Sequence, residues 1–81
     1  MNKETMQIET LKDGRSAFSY WHDDTLIIIQ PLRVRGIKGF KMRVSGVNSI
    51  IVRSQLPRAE RTAVIRQLLA KEVEENTCSV L

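Results

Sequence analysis

Apolar and polar residues alternate along much of the chain, and the period changes to three and four from Pro57 onward. Alternation places successive side chains on opposite sides of a strand, so the earlier part reads as a sheet and the later part as a helix. Thr5 to Leu11 carries Met6 and Ile8 on one face and ends at Lys12-Asp13-Gly14. An Asp-Gly pair between two alternating runs marks a hairpin, because the turn needs positive φ and glycine accepts it. Arg15 to Trp21 follows, with His22-Asp23-Asp24 as the next turn. Thr25 to Gln30 is rich in β-branched residues and too short for a helix, which predicts a central strand covered on both faces.

Pro31 has no N–H to donate, so it ends the ladder or lies on an edge. Leu32-Arg33-Val34-Arg35 alternates again and Gly36 breaks it. Ile37 to Val44 sets Lys38, Phe40, Met42 and Val44 against Ile37, Gly39, Lys41 and Arg43, a largely apolar face against one with two cations. Ser45-Gly46-Val47-Asn48 is a turn candidate, and Ser49 to Arg53 is the last expected strand. Pro57 suits the first helical position, where the N–H it lacks would have no partner. Val64, Ile65, Leu68, Leu69 and Val73 form one buried stripe. The expectation is an α+β fold: a four- to five-stranded, mainly antiparallel sheet followed by one C-terminal helix packed on it. Residues 1–76 would form a single small domain, and 77–81 a frayed tail.

Eighty-one residues with a single cysteine, Cys78, leave no internal disulfide to support a small core. A hydrophobic content of 42% is nevertheless too high for a disordered chain. Pairing of two copies would extend the core, so a homodimer is a natural possibility. Met1 to Thr5 lacks the basic-then-apolar order of a secretory signal. The longest apolar run, Leu26 to Ile29, is far too short to span a bilayer. A cytoplasmic protein without a membrane partner is expected. Cys78-Ser79-Val80-Leu81 fits a prenylation tetrapeptide, but the flank at Glu72, Glu74 and Glu75 is acidic, the wrong sign to assist a lipid anchor.

Charge is divided by position. Residues 1–30 have a net charge of −2 and residues 72–81 of −3, whereas residues 31–71 set ten cations against Glu60 alone, a net of +9. Seven of those ten are arginines, whose planar fork suits phosphate and carboxylate. The candidate anion-binding set is Arg33, Arg35, Lys41, Arg43, Arg53, Arg58 and Arg61. The competing reading is that these groups are solvated or paired with the acidic ends. Cations at the helix start and carboxylates at its end both oppose the helix dipole, so packing or an anionic partner must compensate.

Catalytic chemistry has little support. His22, Asp23 and Asp24 are consecutive and diverge in direction, which fits a turn better than a base or a metal site. Gly36-Ile37-Lys38-Gly39 lacks the lysine-hydroxyl pair of a phosphate loop. No enzyme activity, metal or cofactor is expected. Two binding roles remain. One is a nucleic-acid-associated regulator using the basic region. The other is an inhibitor or adaptor docking an acidic protein, with the edge from Pro31 to Arg35 available for strand addition. Of the aromatic residues, Phe18 and Phe40 are expected in the core, and at least one of Tyr20 and Trp21 is expected to be exposed.

Overall fold

A computed structural model describes the backbone of residues 7–10 and of Ser16, and the whole of residues 17–81. The strands are β1 (Gln7–Thr10), β2 (Ser16–His22), β3 (Thr25–Gln30), β4 (Gly39–Val44) and β5 (Val47–Arg53). They are followed by the helix α1 (Arg58–Ala70) and a short β6 (Cys78–Val80). All six strands form one sheet in the order β1-β2-β3-β5-β4-β6. Only β3 and β5 run parallel; every other neighbouring pair is antiparallel. The fold is α+β, with a mostly antiparallel sheet and one helix among the described residues.

Local chemistry accounts for the hairpins. Asp23 adopts φ 53° between β2 and β3, and Ser45 and Gly46 adopt φ 52° and 77° between β4 and β5. Positive φ at both central residues, as at Ser45 and Gly46, is the geometry of a two-residue turn that matches strand twist. The turn is therefore tighter than the four residues 45–48, and β5 starts at Val47. Pairing of Thr10 with Ser16 agrees with a hairpin there, although the Lys12-Asp13-Gly14 turn lies outside the described residues.

The core lies between the sheet and α1. Ile27, Ile29, Ile50, Val52, Val64 and Leu68 are buried together, with Phe18, Tyr20, Leu56, Ile65, Leu69 and Leu81 packed around them. Gly39 makes this approach possible. A Cβ there would sit 2.7 Å from the Ile51 carbonyl oxygen and 3.1 Å from Val64 Cγ1. The helix thus lies over the Gly39, Lys41 and Arg43 side of β4. Phe40, whose apolar side of β4 looked like the core side, is half-buried on the opposite face.

Three further expectations are corrected. Residues 77–81 do not fray: Cys78–Val80 pairs with β4, Leu81 donates its N–H to the Gly39 carbonyl, and Lys38 donates to the Leu81 carbonyl. The segment Leu32 to Arg35 alternates like a strand but forms none, for a reason given by Arg53 below. The helix ends at Ala70 and Lys71 is already extended, so Val73 and the three late glutamates lie beyond it. The dipole conflict expected at its C-terminus is reduced accordingly. The N-terminal end has no side-chain cap, with Pro57 at the N-cap position.

Candidate nucleic-acid interface

The seven candidate residues separate into a structural group and an available group. Arg53, at the end of β5, acts inward. Its Nε donates to the Ile37 carbonyl at 2.7 Å and its Nη1 to the Leu32 carbonyl at 2.7 Å, while its Nη2 donates to the Val34 carbonyl. Gln55 adds a bond to each side of Leu32. One rigid guanidinium therefore holds the connection between β3 and β4, and the carbonyls a strand ladder would use are already occupied. The proposed edge for strand addition between Pro31 and Arg35 does not exist in this form.

Lys41 is also committed internally. It is 6% exposed, and its Nζ donates to the Lys71 carbonyl at 2.6 Å, a cation placed just past the C-terminal end of α1. Arg43 Nε lies 3.4 Å from a carboxylate oxygen of Glu75, which also accepts from the Gly46 N–H. A cavity of about 660 Å³ between β4 and the end of α1 is lined by Lys41, Arg43 and Lys71, but also by Glu72 and Glu74. Its mixed charge makes it a poor anion site. Lys38, outside the candidate set, bridges Glu60 at 2.9 Å.

Arg33, Arg35, Arg58 and Arg61 remain. No acidic side chain among the described residues pairs with any of them. Arg33 and Arg35 are exposed on the Arg53-held connection, and Arg58 is exposed at the helix start. Because β3 and β5 are parallel, their C-terminal ends lie together. The connection leaves one and the helix follows the other, so these arginines occupy the same end of the sheet.

Beside that end, α1 packs mainly on β5 and β4 and leaves a recess of about 240 Å³ against β2 and β3. Phe18, Tyr20 and Ile29 line its sheet side; Arg58, Arg61, Thr62 and Ile65 line its helix side. The Nε of Arg61 is buried with no hydrogen-bond partner among the described residues. A buried guanidinium N–H without an acceptor is costly and unusual. The sequence carries a sign of this arrangement: positions 58, 61, 62 and 65 share one helical face. Two arginines there, beside Thr62 and Ile65, mark a polar-apolar boundary rather than a fully solvated surface. Tyr20 and Trp21 point to opposite faces and both are half-buried.

His22 and Asp23 approach to 3.7 Å at an exposed turn. Among the described residues no group of three or more His, Cys, Asp or Glu side chains is positioned to hold a metal ion. No helix among them is long and apolar enough to cross a membrane. The chain matches no family model, no curated protein and no solved structure.

Proposed function

We propose that this chain is a nucleic-acid-associated regulator of the cytoplasm that acts by binding, with no chemistry of its own. Phosphates would be held by Arg58 and Arg61 at the helix flank and by Arg33 and Arg35 on the neighbouring connection. The observation that carries the reading is the recess beneath Arg58 and Arg61, where the buried Arg61 Nε has no acceptor among the described residues. A phosphate oxygen would supply one, and arginine meets such oxygens in a directional, charge-assisted bond. Phe18 and Tyr20 on the opposite wall add apolar ring surface next to the cations. That combination of ring and cation is what nucleic acids meet in many binding grooves.

The test is fluorescence anisotropy with labelled duplex and single-stranded oligonucleotides over a salt series. Each phosphate neutralised on duplex contributes about −0.9 to the slope of log K against log salt, so four arginines give a slope of about −3 to −4. The double substitution Arg58→Glu with Arg61→Glu should weaken binding at low salt by more than about tenfold and flatten the slope by about 2. Lys41→Met, which removes an amine already committed to the Lys71 carbonyl, should leave affinity within about twofold. Salt-insensitive binding, or no binding at micromolar protein, would end the proposal. Equal losses from Arg58→Glu with Arg61→Glu and from Lys41→Met would also remove the recess from it.

A further inference from the structure

The sheet has two faces and α1 covers one. On the other face, the pairing register lines up Ile28, Ile51, Phe40 and Val80 in one row across β3, β5, β4 and β6. The adjacent row includes Trp21, Leu26 and Met42, interrupted by Ser49. Most of these side chains are only half-buried, and Val80 is 51% exposed. Ile51 is shielded by its flanking neighbours rather than by a second layer. The only charged side chain that strand alternation assigns to this face from β2 to β6 is Arg53, at its very end, and its guanidinium is occupied by the three carbonyls.

An apolar sheet face of this extent ordinarily packs on another layer, because that is how domains bury their strands. We infer that this face is covered by the same face of a second copy of the chain, forming a twofold dimer with two sheets packed face to face. Two arguments select a second copy. The first is charge: from β2 to β6 the face offers neither sign to recognise an acidic or basic macromolecule, and a neutral apolar surface is complementary to itself under a twofold axis. The second is area. Five strands spaced by about 4.8 Å, β2 to β5 of six or seven residues and β6 of three, each residue rising about 3.3 Å, span roughly 24 by 20 Å at their widest. That is about 500 Å² in projection and more with side-chain relief, near the roughly 600–800 Å² each partner gives to a stable interface. Sheets packed in this way sit about 10 Å apart with their strands roughly aligned. The arrangement leaves the arginine recess on the outward, helix-bearing side, so it does not depend on nucleic-acid binding.

Sedimentation equilibrium of the full chain tests the inference. The expected mass is twice the 9.3 kDa of the single chain, and the melting temperature should rise with protein concentration between about 1 and about 100 µM. Met42→Lys with Val80→Lys should raise the dimer dissociation constant about 30-fold or more, since each protomer would bring unpaired charge to the interface centre or rim. Arg66→Glu, on the exposed side of α1, should leave it unchanged. A 9.3 kDa species at every concentration, with a concentration-independent melting temperature, overturns the inference. So does a dimer whose dissociation constant ignores both lysines in a variant of native circular dichroism. Cosedimentation of a monomeric wild-type chain with neutral phosphatidylcholine vesicles would assign the face to lipid instead. Should the double variant not fold, the concentration dependence of the wild-type melting temperature decides alone.

Discussion

Gly39→Val is expected to remove a large share of the stability of the fold. The first side-chain carbon would sit 2.7 Å from the Ile51 carbonyl oxygen, 3.1 Å from Val64 Cγ1 and 3.3 Å from Leu68 Cδ1. Val64 and Leu68 are 4% and 0% exposed, so neither has free space to move into. The carbonyl is backbone of β5, between β3 and β4, and shifting it disturbs both neighbouring ladders. Overpacking of this type costs about 3 kcal/mol or more. A domain of this length has a total margin of roughly 4–12 kcal/mol, with small single-layer cores toward the lower end. Gly39→Ala should already lower stability by about 2 kcal/mol. Gly46→Asn is the comparison: open space lies around the added carbon, so its only cost is the backbone strain of φ +77°, which asparagine bears better than other L residues. Urea titration followed by circular dichroism reads all three, and an unchanged midpoint for Gly39→Val would show that the helix does not approach β4 as described.

The second large effect is expected at Arg53. Arg53→Ala removes three donors, leaves only Gln55 on Leu32 and none of these bonds on Val34 and Ile37, and should cost about 2–3 kcal/mol, since charge-assisted bonds exceed neutral ones but the freed carbonyls can partly find water. Arg53→Lys should recover less than half, because an ammonium cannot present three donors in the fixed plane of a guanidinium. The distinctive readout is local. Amide exchange in residues 32–38 should accelerate in Arg53→Ala more than in the β2–β3 hairpin, and the proposed nucleic-acid binding should weaken as Arg33 and Arg35 lose their shared support. A uniform acceleration over the whole sheet would mean that Arg53 contributes only to global stability.

Those two residues also show where the sequence is informative. The hairpin turns, the β-branched run of β3 and the proline before α1 express local chemistry, and local pattern locates them to within a residue or two. Leu32 to Arg35 misleads, because a distant arginine at position 53 outcompetes a ladder for the same carbonyls. Cys78 to Val80 is too short to announce itself, and only the open edge of β4 makes it a strand. In β4, the apolar side was the natural choice for the helix; the steric need for Gly39 and the end-on contact of Lys41 with Lys71 reverse it. Of the candidate cations, Arg33, Arg35, Arg58 and Arg61 stay available, and Lys41, Arg43 and Arg53 are used within the fold. Charge counting cannot separate the two sets, since it ignores which carbonyls and carboxylates the chain returns to each cation.

The parallel pairing of β3 with β5 has a consequence for how the chain assembles. Hairpins β2–β3 and β4–β5 close over two-residue turns, so each can form from neighbouring sequence alone. The seam between them joins residues 23 apart throughout, from Thr25 with Asn48 to Gln30 with Arg53. Joining the two hairpins therefore carries a loop-closure cost that no turn residue offsets. Arg53 closes that seam at one end while gathering the intervening connection, so the same side chain that fixes the surface also ties the two hairpins together.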